Sequence, residues 1–151
     1  MSDDLVLVVE DSDSDIEAIA RAIGRSHPDV RLEFLRSGTG VLDRLTADGA
    51  ERPGLVLLDL NMPGEGGLDV VRQVRARPDL GGLRLVVFTS SEDQAEADAC
   101  YAAGADSYIY KPINFALFQS VLSRTLDYWR SREPNVTHTV VPPPGDSSAQ
   151  A

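Results

Sequence analysis

Short apolar runs recur along the chain, and stretches of helical periodicity lie between them. Leu5-Val6-Leu7-Val8-Val9 is unbroken and rich in β-branched residues, the pattern of a strand covered on both faces. Leu55-Val56-Leu57-Leu58 and Leu85-Val86-Val87-Phe88 repeat it. Val30 to Leu35 alternates instead. Val30, Leu32 and Phe34 fall on one side and Arg31 and Glu33 on the other, which fits a less buried strand at a sheet edge. Ser107-Tyr108-Ile109-Tyr110, ended by Pro112, is a fifth candidate. Between these runs, Ile16, Ile19, Ala20 and Ile23 share one helical face behind the candidate caps Ser12 and Asp13. Val41, Leu42 and Leu45 predict a second helix, starting near Gly38. Leu68, Val71 and Val74 predict a third, ending near Pro78. Ala95, Ala99, Ala102 and Ala103 predict a fourth between Ser91-Glu92-Asp93 and Gly104. Phe115, Phe118, Val121, Leu122, Leu126 and Trp129 predict a long fifth.

Strand and helix therefore alternate five times. Right-handed crossovers turn that order into a parallel sheet with helices on both faces. The expected fold is α/β and doubly wound, five strands in the flavodoxin-like order 2-1-3-4-5 with five helices. Half of a dinucleotide-binding fold is the rival. Its glycine fingerprint would follow the first strand, where Glu10-Asp11-Ser12-Asp13 stands instead; Gly38-Thr39-Gly40 lacks a third glycine in register.

Composition narrows the reading. With 151 residues the chain has the length of one domain, and a net charge of -10 argues against attraction to nucleic acid through bulk charge. The single cysteine, Cys100, excludes an internal disulfide. The start lacks the pattern of a signal peptide, and no apolar run approaches the roughly 18 residues of a membrane span. A cytoplasmic protein without a membrane contact is expected. From Glu133 onward prolines, Gly145 and serines replace large apolar residues. The expected division is a domain over 1–132 and a disordered tail over 133–151.

In a doubly wound fold, ligands bind where the strands end. The first strand delivers Glu10 and Asp11 there, the third Asp59, the fourth Thr89 and Ser90, and the fifth Lys111 and Pro112. Singly, each has a bland explanation: acids cap helices, threonine closes a strand, lysine is usually solvated. Together they place three carboxylates, a hydroxyl and an ammonium at one edge. Crowded carboxylates call for a cation, and an oxygen-rich acidic set suits Mg²⁺. A hydroxyl and an ammonium beside it could hold a phosphoryl group, and a carboxylate can itself be the nucleophile.

These residues resemble the CheY-like receiver domains of response regulators. The resemblance rests on Val8-Val9-Glu10-Asp11, Leu57-Leu58-Asp59-Leu60-Asn61-Met62-Pro63-Gly64, Phe88-Thr89-Ser90, Ala103-Gly104-Ala105-Asp106 and Lys111-Pro112, in matching order and spacing. It spans about Leu5 to Trp129. It implies that Asp59 accepts a phosphoryl group from a histidine kinase and that Mg²⁺ is the cofactor. Asp11 would bind the metal directly, Glu10 mainly through a water, and Asp59 and the backbone carbonyl of Asn61 would complete the protein's share. Thr89 and Lys111 would hold the phosphoryl oxygens. Tyr108 matches the switch aromatic, which turns inward when Thr89 moves toward the phosphate. The Lys111–Pro112 bond is expected to be cis. The acidic pair is Glu-Asp where many receivers carry Asp-Asp, and the small Ser90 keeps the approach to Asp59 open.

A narrower likeness, carried by Lys111-Pro112-Ile113-Asn114-Phe115, Phe118, Asp127-Tyr128-Trp129 and Arg77-Pro78-Asp79-Leu80, is to stand-alone regulators associated with phytochrome kinases. Two other readings compete with the signalling switch. A small phosphatase would use Asp59 on outside substrates, but such enzymes place an acid two residues later, where Asn61 stands. A pure interaction module would lack Asp59, Thr89 or Lys111. With no effector domain expected after Trp129, output would pass through a partner. The broad apolar stripe of the fifth helix, including Leu117, Val121 and Tyr128, suggests a homodimer through the fourth helix, fifth strand and fifth helix.

Overall fold

A computed structural model describes residues 2–62 and 64–131. The elements alternate as the periodicities imply: β1 (Ser2–Val9), α1 (Asp13–Ser26), β2 (Arg31–Leu35), α2 (Val41–Thr46), β3 (Pro53–Leu58), α3 (Gly67–Arg75), β4 (Arg84–Thr89), α4 (Gln94–Ala103), β5 (Ser107–Tyr110) and α5 (Phe115–Ser131). The strands are all parallel, in the order β2-β1-β3-β4-β5. The expected tail lies outside the described residues.

The unbroken apolar runs are explained by two cores. Leu7, Val9, Val56, Leu58, Leu85, Val87 and Tyr108 project to the side covered by α2, α3 and α4. Val6, Val8, Leu55, Leu57, Val86, Phe88 and Ile109 project to the other, under α1 and α5. Each fully buried Val or Leu side chain contributes about 1.5–3 kcal/mol of transfer free energy, so a strand apolar on both faces anchors the sheet twice. β2 is an edge strand and alternates accordingly. Val30, Leu32 and Phe34 pack toward the α1–α5 side, while Glu33 turns outward and accepts two bonds from the Arg44 guanidinium, at 2.6 and 2.8 Å.

The helix ends follow local chemistry. Ser12 Oγ accepts from the backbone N–H of Asp15 and caps α1; Asp93 Oδ1 accepts from Ala95 N–H and caps α4. Gly104 closes α4 at φ 111°, a left-handed position that suits glycine. Beyond it, the Asp106 carboxylate accepts from Arg75 Nη2 at 2.9 Å and from Leu85 N–H at 2.8 Å, tying the start of β5 to α3 and β4.

Three sequence expectations need adjustment. α2 begins at Val41, not near Gly38, because Gly40 takes a left-handed φ of 93° and caps the helix there; Gly38 lies before it, where a Cβ would come 2.1 Å from the Glu65 carbonyl oxygen in the loop before α3. α3 stops at Arg75, short of Pro78. Arg77 is extended, as a residue before proline prefers, and Pro78–Leu80 forms a separate 3₁₀ turn. The Lys111–Pro112 bond is trans. The two isomers of an X–Pro bond differ by only about 0.5–1 kcal/mol, so surrounding structure decides between them.

Candidate functional site

The C-terminal ends of β1, β3, β4 and β5 meet at one edge of the sheet, and backbone bonds extend the strand ladders into the site. Glu10 N–H donates to Leu35 O, Asp59 N–H to Val9 O, and Lys111 N–H to Thr89 O. The residue after each of these strands is therefore held as firmly as the strand itself. Carboxylate oxygens of Glu10, Asp11 and Asp59 all lie within 4.8 Å of one another. Glu10 is buried, Asp11 is half-buried, and the Asp59 side chain is only 11% exposed.

Lys111 enters this acidic group from β5 and is itself buried. Its Nζ donates to Glu10 Oε1 at 2.6 Å and to Asp15 Oδ2 at 2.9 Å, and lies 3.5 Å from Asp59 Oδ2. Burial pushes the Glu10 carboxyl above its ordinary range; the Lys111 ammonium pulls the other way, and the nearby Asp59 adds to the rise. Burial also opposes charge on Lys111, but the Glu10 and Asp15 carboxylates outweigh it and hold the amine above its ordinary value. Both shifts report one imbalance: more carboxylate than ammonium in a poorly solvated site. Such a donor set, hard oxygens in charge excess, fits a divalent cation.

Thr89 ends β4 fully buried, its Oγ1 accepting from Ser91 N–H at 3.3 Å, while the neighbouring Ser90 is exposed. Tyr108, the expected switch aromatic, is fully buried and turned inward, its hydroxyl donating to Ser91 O at 2.9 Å. Asn61 is exposed in the β3–α3 loop, two positions after Asp59. Glu10, Asp11, Asp59 and Lys111 are thus brought together, with Thr89 at the adjoining strand end. Asp15 is the residue that sequence reading missed. Ser12 to Asp15 reads as a capping segment, yet side chains in a first helical turn lean back toward the N-terminus, here toward the strand ends.

On the α5 stripe, Val121 is buried in the core with Phe118 and Leu122, and Tyr128 meets the Trp129 ring edge-on at 4.8 Å. Ile113 and Leu117 are the large apolar side chains exposed among the described residues. A groove of about 390 Å³ runs between α1 and the β5–α5 loop, lined by Asp15, Ala18, Ser90, Lys111, Ile113 and Phe115 among others. Among the described residues no helix is long and apolar enough to cross a membrane.

Residues 6–123 match the family model of the response regulator receiver domain. The chain is 31% identical over 128 residues to the probable methanogenesis regulatory protein FilR2 of Methanothrix harundinacea, covering 83% of each chain. It is 30% identical over 129 residues to the response regulator Rcp1 of Synechocystis, covering 83% of this chain and 88% of Rcp1. The solved Mn²⁺-bound form of Rcp1 superimposes with a TM-score of 0.76 at 29% identity, over 89% of this chain and 98% of that one. The phosphorylated cyanobacterial phytochrome response regulator RcpA superimposes with a TM-score of 0.80 at 25% identity, over 92% of this chain and 99% of that one.

Proposed function

Because the chain belongs to the response regulator receiver domain family, we propose that it is a phosphorelay switch whose phosphoacceptor is Asp59. The observation that carries this reading is the packing of Glu10, Asp11 and Asp59 within 4.8 Å, with the Lys111 ammonium 3.5 Å from Asp59. An Asp59 carboxylate oxygen attacks the phosphorus of a phosphohistidine on a histidine kinase. The new O–P bond forms as the N–P bond breaks, and the leaving nitrogen keeps the bonding pair and takes a proton from solvent. Lys111 and the Thr89 hydroxyl bind the phosphoryl oxygens as charge spreads over them. Glu10, Asp11, Asp59 and the Asn61 carbonyl would hold Mg²⁺, which when bound supplies positive charge against both the carboxylates and the incoming phosphoryl group. Asn61, lacking an acid's proton chemistry, favours a lasting acyl phosphate over turnover of outside substrates.

The likeness to RcpA supports a phytochrome-type histidine kinase as the upstream partner. Tyr108 and Thr89 form the switch: both are buried, and both bond to Ser91. A change at Thr89 is passed through that serine to α4 and to β5, an edge strand. The face of α4, β5 and α5 is the homodimer surface in this reading. Residues 1–132 constitute the switch.

The test is intact-mass analysis after incubation with a small phosphodonor such as phosphoramidate, with and without Mg²⁺. The wild type should gain one phosphoryl group only with Mg²⁺. Asp59→Asn should gain none while melting as a folded protein; labelling of Asp59→Asn at wild-type level would refute the assignment. Light scattering at several concentrations, before and after phosphorylation, tests the dimer, and a monomeric mass throughout would exclude it.

A further inference from the structure

We propose that Asp15 is a positioning residue that competes with the phosphoryl group for Lys111 and so restrains phosphorylation of the resting protein. This rests on the reading of Asp59 as phosphoacceptor. An ammonium has three protons to donate. Lys111 spends its two short bonds on Glu10, at 2.6 Å, and Asp15, at 2.9 Å, leaving Asp59 at 3.5 Å. The amine nearest the reactive carboxylate is therefore directed mainly elsewhere.

The two competing carboxylates differ in what they can give up. Glu10 is 2% exposed, so releasing Lys111 would strand a buried charge. The Asp15 side chain is 36% exposed and can turn to water at little cost. Asp15 is thus the partner that yields when phosphoryl oxygens arrive. It also lines the groove that leads to Lys111, where its negative charge repels an incoming phosphate. Both effects act in one direction: neutralising Asp15 frees Lys111 and eases the donor's approach. A simpler role exists, because acids in the first turn of a helix favour its dipole. Asp13 separates the two. It occupies the same first turn and pairs with Arg36 at the surface, not with Lys111.

The experiment measures the rate of labelling of the full chain by phosphoramidate at saturating Mg²⁺, with melting temperatures recorded alongside. Asp15→Asn should label faster by about two- to five-fold, the size expected for one half-exposed ion pair. The gain should shrink at high salt. Asp15→Glu and Asp13→Asn should label at the wild-type rate. Asp15→Ser replaces the asparagine variant should that one melt early. In the unphosphorylated protein, the Lys111 side-chain ammonium signal in ¹⁵N NMR should shift in Asp15→Asn and not in Asp13→Asn. A wild type that labels while Asp15→Asn and Asp15→Ser label no faster would overturn this inference alone, and so would an equal gain in Asp13→Asn. A wild type that does not label at all would overturn the phosphoacceptor reading, and this one with it.

Discussion

Tyr108 donates its phenol to the Ser91 carbonyl across 2.9 Å, so β5 grips the loop that follows β4. Its own backbone N–H donates to the Tyr101 hydroxyl at 3.1 Å. Burial holds the Tyr108 phenol above its ordinary pKa, keeping it a donor. Tyr108→Phe should lower the unfolding free energy by about 1 kcal/mol, the net value of a typical hydrogen bond. Tyr108→Ala should cost about 3–5 kcal/mol, because a fully buried aromatic leaves a cavity. Urea unfolding followed by Trp129 fluorescence measures both.

Glu10 and Asp11 are neighbours with opposite expected effects on the metal-free protein. Asp11 adds a third carboxylate to the site without bonding Lys111, so Asp11→Ala should relieve repulsion and raise the melting temperature. Glu10→Ala removes the closest partner of a buried ammonium and should lower stability by about 1–3 kcal/mol. For Mg²⁺ the ranking reverses in severity: Asp11→Ala should weaken binding more than Glu10→Ala. Calorimetric melts without metal and a Mg²⁺ titration of each variant check the pair.

Cys100 is buried, and burial pushes its thiol up to about 11 from an ordinary value of 9.0. Above pH 9 the unfolded chain loses this proton while the folded chain keeps it, so stability should fall as pH rises toward 11. Cys100→Ala should flatten that part of the pH–stability curve. The native thiol should also resist iodoacetamide at pH 8 and react once urea unfolds the chain, read by mass.

Two glycines should respond to alanine in opposite ways. At Gly38 the new Cβ would meet Glu65 O at 2.1 Å and Val70 Cγ2 at 2.9 Å, forcing apart the loops before α2 and α3. Gly38→Ala should cost about 1–3 kcal/mol and weaken Mg²⁺ binding, since the displaced loop carries Asn61. At Gly24, inside α1, a Cβ meets nothing within 4 Å. Gly24→Ala should add about 0.5–1 kcal/mol. Denaturant midpoints and a Mg²⁺ titration distinguish the two.

What could be read in the sequence follows from which interactions are local. Strands buried on both faces show as unbroken runs such as Leu5 to Val9, and the edge strand shows as the alternation of Val30 to Leu35. Since strand ends define the site, Glu10, Asp11, Asp59, Thr89 and Lys111 were legible once the strands were. The start of α2 was not, because the left-handed backbone of Gly40 sets it, and apolar periodicity does not record that turn. Asp15 was hidden behind a second plausible role, for an acid in a first turn needs no further reason to be there. The isomer of the Lys111–Pro112 bond rests on a small energy difference that no local pattern encodes.

The bond between Glu10 and Lys111 joins residues 101 positions apart. During synthesis β1 and β3, with their acids, precede β5 along the chain. The ammonium that offsets these carboxylates therefore reaches them only once β5 has paired with β4. If Asp59 is the phosphoacceptor, its labelling should depend on β5 being in place. A C-terminally shortened chain ending before β5 should therefore gain no phosphoryl group from phosphoramidate, which intact-mass analysis would check.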